Sequence, residues 1–461
     1  MENNEVKANW EQHEQNGVAM DGFMPFSGSA TNKTPLGLNQ WISSDKPMMD
    51  HFNEDNRVID EAIRGINAAI RDINENACIC PCRPAPAKIM GYEWDFSNPS
   101  TALKRLGDAQ GLTATPGIGA VAGFSDFDKM PIYKDIRRCN LAVDGTVTAY
   151  EGDQAFSFDG SNGDVMVEIP VFYYKVENDE QAQKYRYFVS DQPADGFAPH
   201  PAFARPMGTV DRIYVGAYEL ALGSAGTVTY AVSRSGLMPR HTFSRAGARH
   251  MARNKGEGWC INDFAARMAI TMLIIVEFAN LNTRHTIAPG NSNASSSAVL
   301  ATGRTDNIVG TGREAGADSA QVSFVWRGIE NLWGNVVENI DGINRVGENV
   351  WISTNPADYA DETIENYTQL SYTIPLSSGI GRRFGFDENE PWAALPNVVE
   401  RRIENTFLSD DNALNTPATG WRVARVGGAR NSGIGAGAFA WNLMSPVTLV
   451  GGGGRLLYLP Q

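Results

Sequence analysis

The sequence predicts an α+β protein: a short N-terminal coiled coil that trimerises, followed by a β-rich head that occupies the rest of the chain. Three observations predict it. Isoleucines recur at alternating steps of four and three between residues 59 and 73. From about residue 92 to the end, short apolar runs rich in β-branched and aromatic residues alternate with turn residues. One stretch within this region is apolar nearly all round, the pattern of a helix with no solvent face.

At 461 residues the chain is too long for one ordinary domain, and two or three parts are expected. Lys plus Arg number 39 and Asp plus Glu 53, a net charge of −14. Neutralising phosphates needs clustered Lys and Arg, so nucleic acid and anionic membrane surfaces are not expected partners. The opening MENNEVKANW is acidic and carries no apolar h-region, so no secretory signal is read. The longest apolar stretch, Met268 to Val276, is broken only by Thr271. It is far too short to cross ~30 Å of hydrocarbon, so membrane insertion is not expected. The five cysteines do not suggest a disulfide-built fold, and folding in a reducing cytosol is expected.

Residues 1–50 are polar and irregular and cannot form a core of their own, so they dock onto something else or stay disordered. Residues 51–76 carry the heptad seam. Ile59, Ile63, Ile66, Ile70 and Ile73 form it, and the same frame runs back to Asn56 and Phe52. Isoleucine at both a and d favours trimers and tetramers over dimers, and one Asn at an a position can fix register. An amphipathic helix packed on its own domain usually shows a wider stripe, so a homotrimeric stalk is the reading taken. Residues 77–91 form a linker in which Pro81, Pro84 and Pro86 forbid helix. Cys78, Cys80 and Cys82 face one side of an extended chain. Nine thiols at a trimer axis could hold a metal or cross-link chains, but no second ligand pair follows, and a plain linker is the simpler reading.

Residues 92–235 read as the β-rich part of the head. VMVEIPVFYYKV (165–176) is a strand buried on both faces, and RIYVGAYEL and TVTYAVS are further strands. Asp159 and Asp164 flank a turn that lacks the ligand count of a calcium loop. Residues 236–461 begin with two helices: SRAGARHMARNKG (244–256), then DFAARMAITMLIIVEFANLN with Asn262 as its N-cap. Glu277 in the second is read as a hydrogen-bonded structural acceptor rather than a base or metal ligand. Beyond residue 281 the chain is turn-rich irregular β structure with no helix of useful length.

Catalytic and cofactor signatures are missing. No Gly-Lys dipeptide occurs, hence no P-loop. GIGAVAG (117–123) is neither preceded by a convincing strand nor followed by a helix, and GIGAGAF fails in the same way. There is no HExxH, Gly-x-Ser-x-Gly or Cys/His zinc pattern, and the six histidines do not cluster. No catalytic residue, metal or cofactor is therefore assigned.

WRGIENLWGNVVENIDGIN (326–344) resembles the RGIEN-x-WGN-(V/I)-W-E-W-x-DG segment of C-type-lectin-like domains in bacteriophage and prophage tail proteins. Blocks at 137–150, 163–176, 196–203, 212–219, 258–284 and 451–460 are similar to the same group in the same order, so the resemblance spans most of residues 92–461. Residues 36–63 resemble the N-terminal segments that join such fibres to the virion. Two positions depart from the pattern: Val337 and Asn339 stand where Trp is favoured. The resemblance implies a β-rich C-type-lectin-like domain with two helices and long Gly-rich loops. Formylglycine-generating enzymes share this fold class, but their chemistry needs a C-terminal pair of cysteines, and no cysteine follows Cys260. Neither EPN nor QPD, the tripeptides of calcium-dependent sugar sites, occurs.

In retroelement-diversified tropism proteins of this class, the binding surface lies in the last segment. By position this implies Arg430, Asn431, Ser432, Phe439, Trp441, Asn442, Met444 and Ser445 as receptor-binding residues. Interleaved aromatic, Asn, Ser and Arg side chains on a glycine-rich backbone suit recognition of mixed surfaces. For Phe439 and Trp441 a place in the core of a hairpin is an equal expectation. The function expected is that of a non-enzymatic structural virion protein: a trimeric phage tail fibre or receptor-binding protein, assembled in the host cytoplasm. Residues 1–50 would join other tail or baseplate proteins, and the head would meet a host surface glycan or protein. The alternatives are a head fibre or capsid decoration protein, and a surface-glycan depolymerase.

Overall fold

The computed structural model describes residues 32–33, 39–40, 56–67, 86–206, 208–293, 298–316, 321–401, 403, 405–415 and 419–461. The chain forms two units, Met1–Pro86 and Ala87–Gln461.

In the first unit residues 56–67 are helical, with an Arg57–Glu61 ion pair across one turn. Asn56 is exposed, and Ile59, Ile63 and Ile66 are 42%, 49% and 59% exposed. Among the described residues, the isoleucines of the seam that fall in this helix are thus exposed. Phe52, Ile70, Ile73, the Cys78, Cys80 and Cys82 cluster, and most of segment 1–50 lie outside the described residues.

The second unit is mostly β-sheet with few helices, as the turn-punctuated pattern predicts. Residues 92–235 and 236–461 form it together. Its six-stranded antiparallel sheet runs in the order Trp259–Ile261, Arg455–Tyr458, Arg212–Glu219, Asp164–Pro170, Arg137–Leu141, Val147–Tyr150. The last strand in sequence is thus an inner strand in space. The run 165–176, expected as one strand, is two. Pro170 offers no N–H to continue its ladder, and Tyr173–Asp179 passes into a second, five-stranded sheet beside Lys184–Ser190. A third sheet orders Thr368–Gln369, Asn349–Ile352, Glu338–Val346, Trp421–Val426 and Trp441–Pro446.

The helix Phe264–Phe278 is buried along its whole length, as all-round apolarity requires. Its N-cap is Asp263, whose Oδ1 accepts from the Ala266 amide at 2.8 Å; the expected cap, Asn262, lies one residue outside. Asn262 instead donates its amide to the Arg455 carbonyl at 2.8 Å, which ties it to the C-terminal strand. At the other end Arg105 donates to the carbonyls of Val276 and Glu277, satisfying groups the helix leaves open. The shorter helix Arg245–Arg253 is capped by Ser244.

Glu277 is a structural acceptor, as expected. Its carboxylate receives Trp326 Nε1 at 2.9 Å, Arg327 Nη2 at 2.7 Å and Ser125 Oγ at 2.7 Å. The residues flanking the 159–164 turn are likewise engaged locally. Asp159 accepts from Ser157 and Ser161, which hold its carboxyl down to about 2, and Asp164 pairs with Lys255.

Candidate functional site

The strands Trp421–Val426 and Trp441–Pro446 are antiparallel neighbours joined by a glycine-rich loop. Two glycines make that loop possible. Gly428 has φ +71° and its missing Cβ would sit 2.9 Å from Ala436 Cα, while at Gly437 a Cβ would sit 2.0 Å from Asp410 Oδ1. The loop is braced from beneath. Asp410 Oδ2 accepts from the Phe439 amide at 2.7 Å, and Thr283 Oγ1 accepts from the Ala438 amide at 3.1 Å. Three buried arginines bind backbone carbonyls around it: Arg267 to Ala438, Arg345 to Leu443 and Arg425 to Leu449. Burial lowers each of these guanidinium groups to about 10. The Arg430 amide donates to the Asn335 carbonyl at 3.0 Å, joining the loop to the WGN segment.

Above this support lies an open groove of about 250 Å³, bordered by Asp411, Gly428, Ser432, Trp441, Asn442 and Val337. Ser432 Oγ accepts from the Ala429 amide at 2.8 Å, and Asn442 Oδ1 accepts from Ser445 Oγ at 3.1 Å and from the Met444 amide at 3.2 Å. Both side chains are held at fixed positions on the groove wall. The Trp441 indole Nε1 is buried and has no hydrogen-bond partner among the described residues.

The eight residues expected at a binding surface divide into two groups. Asn431, Ser432 and Met444 are exposed, and Arg430 and Asn442 are half-buried. Phe439, Trp441 and Ser445 are buried, which corrects their assignment as direct contact residues. Phe439 packs on Phe384 with ring centroids 5.3 Å apart, and Trp441 meets Phe264 edge-on at 5.4 Å. Burying Trp441 against the central helix and Phe439 against Phe384 outweighs presenting the two rings to solvent. Trp441 still borders the groove.

Sequence reasoning missed Asp411 and Val337. The Asp410-Asp411-Asn412 run was a polar cluster without period, and nothing local placed it beside residues 439–442. Val337 was noticed as a departure from Trp; at the groove wall its smaller side chain leaves space a Trp would fill. Asn339 is buried, donating to Gly453 O at 2.8 Å and accepting from Arg425 at 3.1 Å.

Histidine chemistry has no foothold at this groove. His200, packed among Phe172, Tyr174 and Trp392, is pushed down to about 3 by burial and is neutral. Among the described residues no group of three or more His, Cys, Asp or Glu is placed to hold a metal ion. No helix among them is long and apolar enough to cross a membrane. The chain matches no protein-family model, and no curated protein matches it significantly.

Proposed function

We propose that this chain is a structural virion protein of a bacteriophage: a homotrimeric tail fibre or receptor-binding protein whose C-type-lectin-like head attaches to the bacterial surface. The observation that carries this reading is the groove. Its wall is made of short polar side chains and backbone held rigid by buried arginines and by Asp410, so recognition costs little ordering of the protein. Asp411, Ser432 and Asn442 offer acceptors and donors of the kind that pair with hydroxyls and amides, and exposed Met444 and Ile434 lie in the same segment. The uncovered Ile59, Ile63 and Ile66 support a stalk, because three apolar side chains on one helical stripe are best buried against copies of themselves. Three weak sites on one trimer gain avidity without tight single contacts.

Light scattering on the full chain tests the stalk: a mass near three times 50.2 kDa is expected, and a clean monomer removes it. Binding of the labelled protein to whole bacterial cells tests the head. Release of oligosaccharide from cell-surface glycan during that incubation would overturn the non-enzymatic reading.

A further inference from the structure

One exposed apolar surface takes no part in the groove. Residues 109–125 carry no Asp, Glu, Lys, Arg or His, and within them Ile118, Val121 and Phe124 are exposed, Val121 by 71%. Val309, 85% exposed, lies just before Thr311, whose carbonyl accepts the Gly117 amide at 2.9 Å. We propose that this surface is a contact between heads, packing on the same surface of a second copy of this chain. The inference rests on the homotrimer proposed above and names a place where its copies meet beyond the helix 56–67.

The loop is fixed before any partner arrives. Ile118 and Val121 exchange backbone hydrogen bonds at 2.9 and 3.0 Å, and the Gly119 amide donates to Arg313 O at 2.8 Å. At its base Ala114–Thr115 pairs antiparallel with Phe124–Ser125. At Gly117 and at Gly123 a Cβ would sit 2.7 Å from the amide nitrogen of the other, so glycine at both lets the two arms close. This is what the GIGAVAG run does in the fold: it holds large apolar side chains outward on a cross-bonded backbone. Such a loop loses little freedom on association. Single exposed apolar residues are ordinary on a protein surface, whereas several gathered on one rigid feature mark an interaction site.

Charge selects the occupant. A chain of net charge −14 repels its own copies wherever carboxylates oppose one another. A contact made of uncharged residues on both sides avoids that cost, and a second copy supplies the matching surface. The exposed Ile59, Ile63 and Ile66 already draw copies together in the proposed stalk. A seam confined to residues 52–73 is short, and short helices are marginal without further packing. Once the stalk joins the copies, their heads sit at high effective concentration, so a contact of few side chains suffices to close the assembly. The same contact is too small to hold free copies together.

Cysteine trapping in the full chain tests the contact. With Cys78, Cys80 and Cys82 replaced by Ser, Val121→Cys or Phe124→Cys should form interchain disulfides under mild oxidation, read as cross-linked pairs on a non-reducing gel. Asn431→Cys, equally exposed but in the groove loop, should not. Val121→Asp with Phe124→Asp should raise the concentration at which light scattering shows half-dissociation by about tenfold or more, with the circular dichroism of the head unaltered. No cross-link at either position in a protein of three-copy mass overturns the contact and leaves the stalk standing. Equal cross-linking through Asn431→Cys, or an unshifted dissociation in the double Asp variant, overturns it as well. A monomer at every concentration removes the contact together with the homotrimer on which it rests.

Discussion

Asp410 accepts the backbone amide of Phe439 at 2.7 Å, and this single hydrogen bond links the turn before Asp411–Asn412 to the loop that forms the groove. It fixes the point at which the chain stops being a Gly-rich excursion and becomes core. A charged acceptor was available because Gly437 leaves the space that any Cβ would take from the same carboxylate.

Asp410→Ala should therefore lower stability by about 1.5–3 kcal/mol, the range for a hydrogen bond to a charged group. Gly437→Ala should destabilise as well, through a collision with Asp410. Urea denaturation measures both. A change under about 0.5 kcal/mol for Asp410→Ala would mean that the loop holds itself.

Exposed and buried members of the candidate surface should separate cleanly. Asn431→Ala combined with Met444→Ala alters exposed side chains and should leave stability within about 0.5 kcal/mol while weakening attachment to cells. Trp441→Ala should instead cost about 3–5 kcal/mol, since the ring is buried against Phe264. Attachment unaltered in the Asn431/Met444 double variant would take these two exposed side chains out of the recognition surface.

Arg455 and Glu338 test how the C-terminal strand of the six-stranded sheet is tied to the strand Glu338–Val346 of the third sheet. Both side chains are buried: Arg455 Nε donates to Glu338 Oε1 at 2.8 Å, Nη2 lies 2.7 Å from the same oxygen, and Nη1 and Nη2 donate to backbone carbonyls. Arg455→Met should destabilise by about 3–5 kcal/mol, because Glu338 loses its closest cation. Adding Glu338→Gln should recover part of that loss. Additive losses in the double-mutant cycle would show the two groups to be uncoupled.

The buried His200 predicts acid sensitivity. Its folded value of about 3 lies below the value of about 6.5 expected in the unfolded chain. Between these values the unfolded state binds the extra proton, so stability is full above about pH 6.5 and falls as pH drops toward 3. From pH 7 to 5 this one group should remove about 2 kcal/mol. Comparing the native protein with His200→Asn at both pH values isolates it. An equal decline in the two proteins would rule out His200 as the source.

The isoleucine stripe gives a prediction about assembly. Ile59→Asn with Ile63→Asn should shift the mass in solution to 50.2 kDa while leaving the circular dichroism of the head unaltered. Persistence of the oligomer would place its contacts outside this helix.

The sequence by itself determined the features that depend on local periodicity. All-round apolarity marked Phe264–Phe278 as central, the run 244–256 marked the shorter helix, and turn residues divided the strands of the head. Glu277 could be read as a satisfied acceptor because carboxylates inside apolar helices need donors. What the tertiary structure alone decided depends on partners distant in the chain. Whether Phe439 and Trp441 face inward follows from Phe384 and Phe264, which approach only once the sheets are assembled. Asp411 reaches the groove because residues 411–413 lie beside the Trp441 strand, a neighbourhood no spacing announces. The loop 117–123 is closed by residues 311–313, which lie far off in the chain. In a chain with many positive-φ glycines side-chain direction has no fixed period, so only the completed packing says which face of a loop is the core.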